Sequence, residues 1–139
     1  MAKIVLISCV SKKLSCKSKA KDLYISSLFK FNLKYADSFF PDNIFILSAK
    51  YGLVSLDDII DPYDMTLNNM NSKEIKLWAD NVLVKLSKIA DLKNDEFIFL
   101  AGDNYRKYLI SSINNYKIPL KGLGIGKQLH YLKEKTKNV

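Results

Sequence analysis

The sequence has few of the residues that build metal sites and disulfide frameworks. Its 139 residues include two cysteines, Cys9 and Cys16, and one histidine, His130. A closed structural zinc site takes a tetrahedral set of Cys and His ligands, which this composition scarcely supplies. Because no export signal precedes the cysteines, we expect reduced thiols and a cytoplasmic protein rather than a disulfide framework. Neither a metal nor a cofactor is expected.

Long hydrophobic runs are also missing. The longest apolar stretches, residues 4–7 and 44–47, are far shorter than the roughly 20 residues of a membrane helix. Residues 6–9 resemble a lipoprotein cleavage box, but the charged and long apolar regions of a secretory signal do not precede them. We therefore expect no membrane partner and one α/β domain over residues 1–139, with a Lys-rich tail from about Lys133.

Positive charge is concentrated at the amino-terminal end. The net charge is +8, and residues 1–34 hold eight Lys and one Asp, or +7. An acidic run then includes Asp57, Asp58, Asp61 and Asp64. This pattern is typical of an anion-binding face beside a carboxylate-bearing site. The alternative is an ordinary set of solvated lysines.

Buried strands and amphipathic helices alternate along the chain. The patterns predict strands at residues 3–9, 43–48, 96–101 and 117–120. They predict helices at residues 20–39, from the capping box of Asn71 and Glu74 onward, after Asp103, and after Gly124 or Gly126. Residues 49–69 form an unusually long loop, and such loops are often functional.

This alternation predicts a three-layer α/β/α fold with a mainly parallel four-stranded sheet. Ligands of such sheets bind at the carboxyl ends of the strands. The segments 8–13, 48–64, 102–106 and 122–126 all leave that edge, so we place the candidate site there.

The loop after the second strand carries the first set of candidate residues. Ser48 ends the strand, Lys50 can present a cation and Gly52 permits a tight turn. Tyr51 can stack on a planar ligand or pack beneath the loop.

The end of the long loop holds a candidate catalytic group. Tyr63 offers an aromatic face, and Asp64 is the preferred general base, with Lys50 as its catalytic partner. The alternative is that Asp64 caps a turn.

Two further segments are candidates for ligand binding. The loop after the first strand contains Ser8, Cys9, Ser11, Lys12 and Lys13, and its amides and lysines suit phosphate or carboxylate. Cys9 could be a nucleophile or an inert buried thiol. Amide groups near Gly124 and Gly126 could hold an anion at the start of the last helix, whereas His130 fits a surface position.

Several of these blocks together resemble a known family. They are Ser-Ala-Lys-Tyr-Gly-Leu at 48–53, Pro-Tyr-Asp at 62–64, Ser-Cys and Ser-Lys-Lys at 8–13, and Gly-Leu-Gly-Ile-Gly at 122–126. The succession resembles the bacterial and phage proteins called domain of unknown function 6884. The blocks are distantly similar to a domain of archaeal tRNA-guanine transglycosylase relatives and to the peroxide-stress protein family, and the α/β plan is similar to uracil-DNA glycosylases.

The resemblance implies nucleobase or nucleic-acid handling, with N-glycosidic bond hydrolysis as the reaction class. The Asp-Pro-Tyr-His motif of the glycosylases is absent after the first strand, and Pro62-Tyr63-Asp64 follows the second strand instead. One alternative is a noncatalytic module that binds nucleic acid or a protein. Another is a small-molecule enzyme that uses Cys9.

Overall fold

The computed structural model describes residues 1–137. Its strands are β1 (Lys3–Ser8), β2 (Ser18–Lys19), β3 (Asn43–Ser48), β4 (Gly52–Ser55), β5 (Ile59–Ile60), β6 (Glu96–Leu100) and β7 (Tyr116–Lys117). Its helices are α1 (Ala20–Leu23), α2 (Ser27–Asp37), α3 (Ser72–Ser87), α4 (Asp103–Ile110) and α5 (Ile125–Lys135), with a 3₁₀ turn at Leu67–Asn69.

The main sheet has five strands in the order β4-β3-β1-β6-β7. All neighbouring pairs are parallel except β3 and β4, which are antiparallel. The central strand β1 buries residues 4–7 almost completely, as expected of a parallel strand that is covered on both faces. The predicted mixed α/β fold with a mostly parallel sheet is confirmed.

The fifth strand was not predicted. Gly52 has φ of +74°, a left-handed conformation that favours glycine, and it lets the chain reverse immediately after β3. Strand β4 then pairs with β3, with Ser48 opposite Gly52. The first part of the predicted loop 49–69 is therefore an antiparallel edge hairpin, which makes the predicted number of four strands wrong.

The predicted helix over residues 20–39 is divided into α1 and α2. Between them Tyr24 is extended and pairs with Lys13, and the Ile25 amide donates to the Lys12 carbonyl. The side chain of Ser26 then caps α2 by accepting a hydrogen bond from the Phe29 amide. Pairing with the loop after β1 therefore interrupts the helical pattern.

Helix α2 packs on β1 and α5, whereas α3 packs on α4 and β4. The placement of these pairs on opposite faces of the sheet stays a prediction. The predicted capping box of α3 is confirmed, because Asn71 and Glu74 bond each other's backbone amides.

The carboxyl-terminal elements differ from the prediction in their bounds. Strand β7 is confined to two residues rather than 117–120. Helix α5 begins after Gly124 and continues through Lys135, so the first residues of the predicted tail are helical, and residues 138–139 lie outside the described part. In residues 1–137 no helix combines the length and apolar character needed to cross a bilayer.

Candidate functional site

A cavity of about 230 Å³ opens at the carboxyl ends of β1 and β6. We call it the edge cavity. Its walls include the apolar side chains Val10, Leu28, Phe99, Ile118 and Leu120. Its polar lining is formed by Ser8, Asn32, Asn68, Arg106 and Gln128, together with the Cys9 thiol and the Tyr105 hydroxyl. The lining therefore combines an aromatic, apolar interior with a few convergent polar groups, as small-molecule sites do.

Asn32 is the most unusual of these polar residues. It lies on the buried side of α2, three residues after the core residue Phe29, and is only 5% exposed. Within residues 1–137 its Oδ1 atom has no hydrogen-bond partner. A buried acceptor without a donor costs about 1–3 kcal/mol of folding free energy. Asn32 also lines the edge cavity, so its carboxamide is a candidate contact for a ligand bound there.

Arg106 places a positive charge in the wall of the same cavity. Its guanidinium donates from Nη1 to the Ala101 carbonyl at 2.6 Å. Its carboxylate partner, Asp103, is 4.0 Å away and largely exposed, whereas the Arg106 side chain is 16% exposed. The positive charge of Arg106 is therefore largely buried and is only weakly neutralised by Asp103. Such a charge favours binding of an anionic ligand.

Cys9 lines the edge cavity and directly follows β1. Its Sγ donates to the Tyr105 hydroxyl at 3.4 Å, and that hydroxyl also accepts from the Leu67 amide at 3.3 Å. Burial raises the pKa of Tyr105, and the nearby Cys9 raises it further. Tyr105 therefore stays a neutral phenol that ties the long loop to the sheet edge.

A second group of hydroxyls, which we call the tyrosine cluster, anchors the end of the long loop. Ser48 donates to the Tyr63 hydroxyl at 2.8 Å, and Tyr63 shares a 2.6 Å hydrogen bond with Tyr24. The Ser48 hydroxyl also accepts from the Tyr51 amide at 3.0 Å. Burial raises the pKa of Tyr24 to about 12, and burial and the proximity of Cys9 raise the pKa of Tyr63. The cluster is therefore neutral at physiological pH.

Lys13 connects the tyrosine cluster with Asp64. Its ammonium lies 4.3 Å from the centre of the Tyr63 ring, a cation–π contact. Desolvation lowers the pKa of Lys13, and the proximity of Cys9 and Asp64 opposes that effect. Asp64 itself is exposed. Thus Lys13, Asp64 and Cys9 are electrostatic neighbours, although only Cys9 lines the edge cavity.

Lys50, Tyr51 and Gly52 line a different depression, which we call the lysine groove. Its volume is about 390 Å³, and Trp78, Lys85 and Lys88 complete its basic and aromatic lining. Lys50 lies 5.3 Å from the centre of the Tyr51 ring, and Lys85 donates to the Tyr51 carbonyl at 3.2 Å. The groove presents cations and aromatic rings to solvent.

The family model described as "Family of unknown function (DUF6884)" matches residues 4–134. The chain belongs to the DUF6884 family. It is also similar to the uncharacterized protein YfjM of Bacillus subtilis (strain 168), with 30% identity over 124 residues, 84% of this chain and 81% of YfjM.

The structure separates the predicted site residues of this DUF6884 chain into neighbouring groups. Ser8 and Cys9 line the edge cavity; Ser48, Tyr63 and Lys13 form or contact the tyrosine cluster; Lys50, Tyr51 and Gly52 line the lysine groove. Ser11 and Lys12 are exposed in the loop after β1. Gly124 caps α5, and Gly126 lies beside the exposed His130 in a shallow depression on that helix.

Asn32, Gln128 and Arg106 line the edge cavity, but this position was not predicted for them from the sequence. The signal for Asn32 was present, because an amide among the core positions of a helix has to find a partner. The signal for Arg106 was its rarity, because it is the only arginine among 22 Lys and Arg residues.

The tyrosine cluster predicts a stability effect of Tyr63→Phe. The change removes the hydroxyl between Ser48 and Tyr24, so we expect the free energy of unfolding to fall by about 1–3 kcal/mol. Tyr51→Phe is the matched control, since its hydroxyl makes only a 3.4 Å, exposed contact with the Asp61 carbonyl. Urea denaturation of both variants checks this, and equal effects would contradict an anchoring role for the cluster.

Proposed function

We propose that this DUF6884 chain recognises a nucleobase in the edge cavity. The observation that carries the proposal is the buried Oδ1 of Asn32, which has no partner within residues 1–137. A carboxamide offers one acceptor and two donors, and it pairs well with the polar edge of a base. Phe99 and the aliphatic walls suit the flat apolar faces of such a ring.

The size of the cavity supports a ring-sized ligand. Its volume of about 230 Å³ lies just below the roughly 300–1,000 Å³ of pockets for drug-sized molecules. A base, either free or swung out from its polymer, matches that scale better than a whole oligonucleotide.

N-glycosidic bond hydrolysis is the reaction that we propose for the bound ligand. The similarity to transglycosylase-associated domains and to uracil-DNA glycosylases suggested this chemistry. Asp64 would orient a water molecule and take its proton as the water oxygen attacks the anomeric carbon of the sugar. The C1′–N bond would break in the same step, and the departing base would accept the proton. The position of Lys13 near both Asp64 and Cys9, a residue that lines the edge cavity, supports this assignment.

The second candidate function is noncatalytic binding of single-stranded nucleic acid. The lysine groove favours it, because Lys50, Lys85 and Lys88 surround the rings of Tyr51 and Trp78. Cations that follow a phosphate backbone, together with aromatic stacking platforms, are what such binding needs. Lys12 and Lys13 would add to the same electropositive surface.

Calorimetric titration with free bases, nucleosides and a short single-stranded oligonucleotide distinguishes the two functions. If the proposal is right, at least one base or nucleoside binds with little dependence on salt, because those ligands carry no phosphate. Binding of the oligonucleotide alone, with an affinity that falls steeply between low and physiological salt, would favour the second function. A base-release assay on modified and unmodified nucleic acids and nucleosides then tests for hydrolysis.

A further inference from the structure

We infer that the edge cavity takes the base of a mononucleotide, whose phosphate is held where Arg106 and the exposed first turn of α5 border the cavity. The inference rests on the proposed function for the base and adds a separate anion subsite to it. The inference depends on three features. They are the positive charge of Arg106, the N-terminus of α5, which has no side-chain cap, and the buried amide oxygen of Asn32, which has no hydrogen-bond partner within residues 1–137.

Arg106 has the chemistry that a phosphate requires. A guanidinium presents five N–H donors in a planar fork, and the bond to Ala101 and the distant Asp103 leave part of that fork unused. All the other Lys and Arg positions of this chain are lysine, and lysine cannot make the same bidentate contact. A single arginine in the wall of a cavity therefore indicates recognition of a planar or tetrahedral oxyanion.

Helix α5 provides a second set of donors at the same cavity. Its first residue, Ile125, and Gln128 both line the edge cavity. The cap, Gly124, has no side chain to bond the free amides, and no acidic residue occupies the first turn. Unpaired N–H groups and the helix dipole therefore remain available to an anion.

The charge distribution favours a mononucleotide over a polymer. Arg106 is the only cationic side chain in the lining of the edge cavity among residues 1–137, which matches one phosphate. The lysines that could follow a longer backbone, Lys50, Lys85 and Lys88, line the separate lysine groove instead. A single ligand, with its base beside Asn32 and its phosphate beside Arg106, would account for both of these unusual polar residues.

The test compares a nucleoside with its monophosphate on the parent protein, Arg106→Gln and Lys107→Gln. Titration should show the parent binding the monophosphate roughly 10- to 100-fold more tightly than the nucleoside, because one charge-assisted contact is added. Arg106→Gln should lose most of the preference for the monophosphate, with only the contribution of the α5 amides remaining. Lys107→Gln, one residue away and outside the cavity lining, should keep the preference for the monophosphate.

Arg106→Lys is the control for a folding defect. Lysine keeps the positive charge, so this variant should retain part of the preference for the monophosphate. Equal affinity of the parent for nucleoside and monophosphate would overturn the mononucleotide inference and leave base recognition intact. Binding of inorganic phosphate through Arg106, with no contribution from any base, would overturn both the mononucleotide and the proposed function. Tighter binding of a dinucleotide or longer strand than of the monophosphate, still dependent on Arg106, would overturn the preference for a free nucleotide.

Discussion

Asn32→Leu is expected to make the protein more stable and, in the same variant, unable to bind a nucleobase. Leucine has a similar branched shape but no polar atoms, and the edge cavity leaves room for its methyl groups. Removal of a buried acceptor that has no partner should raise the free energy of unfolding by about 1–3 kcal/mol and Tm by several degrees, about 3 °C or more. The base would lose its only carboxamide contact from α2, so affinity should fall at least roughly tenfold.

Asn81→Leu is the matched control for this experiment. Asn81 is an exposed residue inside α3 that lines the lysine groove and not the edge cavity. Its replacement therefore reports the gain in helix propensity, about 0.5 kcal/mol, without a change in the edge cavity. Thermal denaturation and calorimetric titration of both variants measure the two effects. Asn32→Leu with a lower Tm would show that the amide makes a stabilising contact in the free protein, and undiminished base binding would remove Asn32 from the site.

Opposite effects on stability and binding are what a site that is preorganised for a ligand should show. Proteins retain buried polar groups without partners mainly where function requires them. Asn32 lies on a helix whose other buried positions, Phe29, Tyr35 and Ala36, are apolar or aromatic. A purely structural core would have an apolar residue at position 32 as well.

The sequence allowed prediction of the parts of the fold that depend on periodicity. The buried run of β1 and the capping box at Asn71 were predicted because each is a local pattern with a direct physical cause. Strand β4 was missed because its four residues gain their stability from pairing with β3 rather than from any pattern of their own. The break between α1 and α2 had a local signal, the N-cap Ser26, but the pairing of Tyr24 with Lys13 depends on tertiary contact.

From the sequence, the candidate site could be located to one edge of the sheet but not to a particular set of side chains. The carboxyl ends of β1 and β6 do border the edge cavity, and Ser8 and Cys9 line it. Sequence reasoning could not separate that cavity from the lysine groove, because the hairpin of β3 and β4 directs Lys50 and Tyr51 to the groove. The position of Gln128 in the cavity lining was not predictable either, since it depends on how α5 docks against α2.

The proposed chemistry predicts a large effect of Asp64→Asn on base release. The change keeps the size of the side chain but removes the charge that would orient and deprotonate water. Because Asp64 is exposed and its attraction to Lys13 is screened by solvent, stability should change by less than about 1 kcal/mol. Turnover should fall by a factor on the order of 10²–10⁴, while binding of the base, which depends on Asn32 and the apolar walls, should persist.

Asp61→Asn is the control for this variant, because Asp61 is an exposed carboxylate of the same loop. Its backbone carbonyl accepts a hydrogen bond from the Tyr51 hydroxyl, and its carboxylate forms no hydrogen bond or salt bridge within residues 1–137. A general effect of charge on nucleic-acid affinity should appear in both variants, whereas loss of a general base should appear in Asp64→Asn alone.

The assay measures free base released per unit time at saturating substrate, with Tm recorded for each protein. Equal turnover in parent and Asp64→Asn would exclude the catalytic role, and a loss of turnover matched by a loss of Tm would identify Asp64 as a turn cap. A parent protein that binds bases without releasing any would instead make the edge cavity a recognition site. Outside that cavity, the carboxylate of Asp64 would then serve mainly to neutralise the charge of Lys13.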